Sequence, residues 1–157
     1  MKKNFSLRDF EPKNIDIKFQ LKGIEVNKDV EIDTCILTVK GDYPNGSEGA
    51  SIGEYLRGLG VFLREVFDLN TLIIDLSLLN YCWGNNLLKV AQPEMLQTSD
   101  FAGDSWFGYY IIGSEKNTPA LTSLFCEFGS SSGIEKIYLS VDDATKDIMK
   151  KARKVYT

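Results

Sequence analysis

The chain has 157 residues and a formal charge of −4, with 43% hydrophobic and 25% charged residues. Those values fit one globular domain with a core of its own and argue against disorder. Histidine is absent, which excludes Ser-His and Cys-His nucleophile pairs, histidine general bases and every histidine-containing metal site.

The acidic balance lacks the clustered positive charge on which duplex binding draws, so no nucleic-acid partner is expected. Cys35, Cys82 and Cys126 are far apart and odd in number. They fit neither a zinc site nor a disulfide framework, and no metal or cofactor is expected. Their usage suits a reducing compartment. The basic start at Met1-Lys2-Lys3 has no apolar stretch behind it, so it does not read as a signal peptide. No run approaches the ~18–20 apolar residues of a membrane span. A cytoplasmic protein without membrane contact is the expectation.

Residues 1–14 read as a flexible arm, and residues 15–157 as a single domain. Ile15, Ile17, Phe19 and Leu21 alternate with polar residues, the pattern of a half-buried strand. Gly23 and Asn27-Lys28-Asp29 supply turn chemistry. Thr34 to Val39 forms a second, more buried strand, antiparallel to the first. Gly41 to Ser47 is a loop. Ile52, Tyr55, Leu56, Leu59, Phe62, Leu63 and Val66 then make one helical stripe. Ser51 and Glu54 have the spacing of a capping box. Gly53, Gly58 and Gly60 each cost about 1 kcal/mol in a helix; tight packing on a sheet explains them.

Thr71 to Leu76 is apolar on both faces apart from Asp75, as in a central parallel strand. Leu87, Leu88, Ala91 and Met95 predict a short helix disturbed by Pro93. Residues 97–106 form a loop, and Phe107 to Ile112 a strand. Thr118 caps a helix with Pro119 in its first turn; Leu121, Leu124, Phe125 and Phe128 supply its stripe, and Gly129 ends it. Ile134 to Leu139 is the last strand. Val141, Ala144, Ile148, Ala152 and Val155 predict a final amphipathic helix, with Asp142 and Asp143 at its start. Its lysines complement the helix dipole. The alternation of strands and helices gives an α/β fold with a mixed, mostly parallel sheet and an N-terminal antiparallel hairpin at its edge.

In such a sheet, ligands and partners meet the carboxyl ends of the strands. The turn there contains Tyr81-Cys82-Trp83-Gly84-Asn85-Asn86. One Asn is explained by helix capping, two less well. Asp75-Leu76-Ser77, Tyr81 and Leu87 resemble the STAS family, the domains of anti-sigma-factor antagonists and sulfate-transporter tails. The resemblance implies a small β/α sandwich and a protein-binding surface. It places the family's phosphorylatable serine on Asn85, its preceding serine on Gly84, its aspartate on Trp83 and its glycine on Asn86. Asn has no hydroxyl to phosphorylate, so the switch is not implied. Tryptophan is enriched at binding hot spots.

Weaker candidates are Gly103-Asp104-Ser105 and Gly129 to Gly133 as anion cradles. Trp106 beside Phe101 is a lid or an exposed contact. Asp75 is the carboxylate best set for acid chemistry, without a visible partner. The candidate partner-binding residues are Trp83, Gly84, Asn85, Asn86 and Trp106.

Three functions are open. The first is a non-catalytic binding protein of immunity or antitoxin type, neutralising a basic toxin with electrostatic help. The second is an anti-sigma-factor-antagonist-like regulator without its phosphosite, bound to a signalling protein. The third is a small enzyme using carboxylate, Lys or Tyr chemistry.

Overall fold

The computed structural model describes residues 12–91, 106–129 and 132–156. The chain opens with an antiparallel pair, β1 (Ile15–Asn27) and β2 (Val30–Asp42). Both strands run longer than the alternation predicted. Gly23 lies inside β1 opposite Asp33, and the turn falls at residues 28–29, where Asn27 Oδ1 accepts from the Asp29 amide. Next come a 3-10 turn at Gly46–Gly49, helix α1 (Ala50–Phe67) and strand β3 (Thr71–Asp75). The two-residue strand β4 (Leu79–Asn80) leads to a 3-10 segment, Asn86–Ala91. Strand β5 (Tyr109–Ile112), helix α2 (Thr118–Leu121), strand β6 (Ile137–Tyr138) and helix α3 (Val141–Tyr156) follow. A π-helical segment, Thr122–Phe128, continues α2.

The sheet order is β1-β2-β3-β5-β6, with β4 also paired to β2. Every pair except β1–β2 is parallel. The doubly apolar reading of β3 holds, because alternate residues serve two cores. Leu72 and Ile74 join Ile111, Leu56, Leu63 and Phe125 on the α1–α2 face. Ile73 joins Tyr110, Ile112, Ala144 and Ile148 on the α3 face. The small residues Ala144 and Ala152 let α3 lie close to the sheet.

Several expectations change. Ser51 and Glu54 form no capping box. The helix grows directly out of the 3-10 turn, so the Ala50 amide already bonds to the Ser47 carbonyl. Glu54 instead pairs with Arg57 and with Lys89 at 2.8 Å. The hydrogen bond from Lys89, ahead of the other charges, holds its carboxyl below the usual range. Gly53 packs on the 3-10 segment rather than on the sheet: a Cβ there would overlap the Asn86 carbonyl oxygen. Thr118 is the first residue of α2 rather than its cap; the cap position is Asn117. The predicted helix at residues 87–95 is 3-10 where it is described. The last strand shrinks to two residues, and Phe128 and Val155 are exposed. Phe19 and Leu21 share a face with Ile15 and Ile17, yet they remain about half exposed. Period two identifies a face but not whether anything covers it.

Residues 1–11 of the expected arm, Pro93, Met95, the loop through Phe101, Gly103, Asp104 and Ser105, and Ser130-Ser131 lie outside the described residues. No described helix is long and apolar enough to cross a membrane.

Candidate functional site

After β3 the chain sidesteps between its two neighbours. The Leu76 amide bonds to the Ile112 carbonyl of β5, and Leu79 and Asn80 then pair with Gly41 and Asp42 of β2. Asp75 spans this sidestep: its Oδ1 accepts from the Ser77 amide at 3.0 Å. The carboxylate is half-buried and closes a local turn, so its partner is the Ser77 amide, which the sequence did not reveal.

Asn117 ties the sidestep to the start of α2. Its side chain is buried, and Nδ2 donates to the carbonyls of Leu76 at 2.8 Å and Leu79 at 2.9 Å. Its Oδ1 accepts from the Ser114 amide at 2.8 Å. The sequence reading passed over Asn117. Asn before Thr-Pro signals a helix start, but nothing local reveals that two of its partners lie some forty positions away.

The turn that follows is locked against the loop before α1. The Tyr43 amide bonds to the Asn80 carbonyl at 2.9 Å, and the Tyr43 hydroxyl donates to the Gly49 carbonyl at 2.9 Å. Tyr43 and Tyr81 meet edge to face, with centroids 6.0 Å apart. The Tyr81 hydroxyl donates to the Gly84 carbonyl at 2.7 Å. Burial, with Cys82 next, pushes the Tyr81 phenol up to about 12, so it is a neutral donor throughout the physiological range.

Within this frame the four turn residues divide their work. Trp83 is 61% exposed, and one edge of its ring rests on Gly46. Gly84 has φ of 119°, and a Cβ there would stand 2.8 Å from the Gly46 nitrogen; only glycine fits this position without strain. Asn85 is exposed, and its carbonyl accepts from the Leu88 amide at the start of the 3-10 segment. Asn86 is half-buried and donates from Nδ2 to the Gly46 carbonyl at 3.0 Å. Thus Asn86 is a cross-loop tie, and Trp83 and Asn85 are the side chains presented to solvent.

Trp106 is not brought to this turn. It precedes β5 and lies at the opposite end of the parallel strands from Trp83. There it covers the buried Arg64, whose guanidinium carbon lies 3.7 Å from the Trp106 ring centroid. Arg64 also donates to the Tyr109 hydroxyl at 2.8 Å. This is a cation held under aromatic rings.

Beside the turn, a cleft of about 480 Å³ opens between the sidestep and α2, lined by Asn80, Tyr81, Cys82, Ser114, Lys116 and Asn117 among others. Among the described residues, no three Cys, Asp or Glu side chains are grouped so as to hold a metal ion.

No family model matches the sequence, and no curated protein does. Among solved structures, the chain is similar to an anti-sigma factor antagonist from Mycobacterium paratuberculosis. The TM-score is 0.50 at 14% identity, over 83% of this chain and 94% of that one. The fold is STAS-like. Asn85 stands just before the 3-10 segment, beyond the carboxyl end of β4.

Proposed function

We propose that the chain is a non-catalytic regulator that binds another protein through the Trp83–Asn86 turn, in the manner of an anti-sigma-factor antagonist without the phosphorylation switch. The observation carrying this reading is Trp83: a large aromatic side chain, 61% exposed, on a backbone fixed by hydrogen bonds on both sides. Tryptophan is among the residues enriched at the few positions that carry most of an interface's binding energy. Asn85 supplies an amide donor and acceptor next to it and no phosphorylatable hydroxyl. Trp106 is left out of this surface, because its ring is engaged with Arg64.

The similarity to an anti-sigma factor antagonist favours the regulator over the immunity or antitoxin reading. The neutraliser rests only on acidity and small size. An enzyme has less support still.

The test is a pull-down with the tagged full chain from its native cell, followed by binding measurements on the recovered partner. A sigma-related or kinase-like protein in stoichiometric amount is expected. A basic nuclease would restore the neutraliser. Trp83→Ala should weaken the complex at least about tenfold, hot-spot truncations costing ~2 kcal/mol or more, while the thermal melt stays nearly unchanged. A large fall in melting temperature with intact affinity would make Trp83 a packing residue and sink the proposed surface.

A further inference from the structure

The opposite edge of the molecule carries a surface that the turn does not explain. β1 is the terminal strand of the sheet, and among the described residues nothing pairs with its outer side. Phe19 is 48% and Leu21 46% exposed. On the same face, Tyr55 and Leu59 of α1 border a groove with Ile15, Ile17 and Phe19. Their helical stripe continues through Phe62 and Val66, both more than half exposed. An apolar ledge therefore lies alongside an open strand. Open edges are templates for pairing, and apolar patches of this kind mark interaction sites.

We propose that this ledge is a self-association surface, on which β1 pairs antiparallel with β1 of a second copy about a two-fold axis at Phe19. The charge pattern selects that occupant. With Phe19 opposite its own copy, Ile17 faces Leu21 on the α1 side of the joined sheet. On the other side, Asp16 faces Lys22 and Lys18 faces Gln20. Opposite charges across a strand pair attract and like charges repel. Sliding the pair so that Lys18 meets either Lys22 or its own copy sets like charges face to face. A one-residue slip turns the apolar face against the polar one. A pair centred on Ile17 would also set Asp16 against Lys18, but Asn14, with φ of 62°, limits it to Ile15–Phe19, and one centred on Leu21 opposes no charges. The pair centred on Phe19 joins opposite charges over the longer segment, and it reads the same from both copies, as a two-fold contact requires. Asp16 already bonds Lys40 through Oδ2 at 3.3 Å, with both side chains about half exposed, and its carboxylate accepts a second cation.

The pairing segment is also bounded. Asn14 has φ of 62° at the near end, and a register shift between Glu25 and Asn27 breaks the far end. Pairing is confined to Ile15–Gly23. The two α1 helices then lie on the same face, bringing Phe62 and Val66 of both copies over the new strand junction.

The experiment is sedimentation of the full chain across a concentration series. The wild type is expected to show a reversible monomer–dimer equilibrium. Phe19→Lys places a charge opposite its own copy at the axis and should abolish the dimer, with a circular-dichroism melt confirming that the half-exposed site tolerates it. Lys22→Asp should weaken the dimer roughly tenfold by turning two attractive cross-strand pairs repulsive. Asp16→Lys together with Lys40→Asp, which keeps the pair within each copy with its charges exchanged, should restore association when added to it. A wild-type monomer at every concentration would overturn the proposal, as would a dimer that survives Phe19→Lys. So would a failure of the charge swap to recover what Lys22→Asp loses. Trp83→Ala leaves this equilibrium unchanged, so the outcome is independent of the partner-binding reading.

Discussion

Replacing Asn117 by alanine isolates the tie that holds the sidestep to α2. The substitution removes three side-chain hydrogen bonds of 2.8, 2.9 and 2.8 Å. The Leu76 carbonyl keeps the Leu79 amide at 3.0 Å. The Leu79 carbonyl and the Ser114 amide each lose an Asn117 partner. At about 1 kcal/mol for each bond removed, the expected loss is about 3 kcal/mol, more where a buried group finds no water. For a chain of this size that corresponds to a melting temperature lower by about 6–12 °C. Asn117→Asp sharpens the test. Its carboxylate would keep the Ser114 bond but set an anionic oxygen against two carbonyls. It should be less stable than Asn117→Ala near neutral pH. That site would raise the acid's folded-state pKa above its unfolded value, so stability is recovered as pH falls through the raised value. Thermal melts over a pH series read both effects. A melt of Asn117→Ala within about 2 °C of wild type would refute the assignment of Asn117 as the tie.

Gly53→Ala and Gly58→Ala form a contrasting pair. The first drives a methyl group into the Asn86 carbonyl, while the second meets nothing within 4 Å. Gly53→Ala should destabilise by about 1–3 kcal/mol and Gly58→Ala stabilise by up to ~1 kcal/mol, as measured by urea unfolding; equal effects would remove the close approach as the reason for Gly53. The Cys35 thiol is pushed up to about 11 from 9.0, mainly by burial. Above pH 9 the unfolded chain loses that proton while the folded chain keeps it, so stability should fall from pH 9 towards 11. Cys35→Ala should flatten that fall, and a slope unchanged by it would assign the effect elsewhere.

The sequence made some features of this molecule plain and hid others for physical reasons. β3 was legible because a strand covered on both faces is apolar on both, as Leu72, Ile73 and Ile74 are, and its neighbours followed from the β/α alternation. The location of the candidate turn followed from the same topology. What stayed hidden depends on distant partners. Ser51 and Glu54 have capping-box spacing, but a preceding 3-10 turn and Lys89 claim their roles. Asn86 looked like one of two presented amides until Gly46 appeared across from it. Trp106 was grouped with Trp83 because composition does not reveal which end of a strand a loop occupies. The exposure of Phe19 and Leu21 was invisible to period two, which reports orientation and not coverage.

The double anchoring of the Trp83–Asn86 turn has a further consequence. Its backbone is held by the Tyr81 hydroxyl at Gly84 from within and by the Gly46 amide at the Trp83 carbonyl from the facing loop. Its conformational freedom has therefore been given up during folding rather than at encounter. A partner docking on this turn, as proposed, would immobilise little beyond the Trp83 and Asn85 side chains, and the entropic penalty that usually erodes affinity at loop-borne contacts would be small. A rigid loop of this kind also discriminates, because a mismatched partner cannot be accommodated by remodelling the backbone.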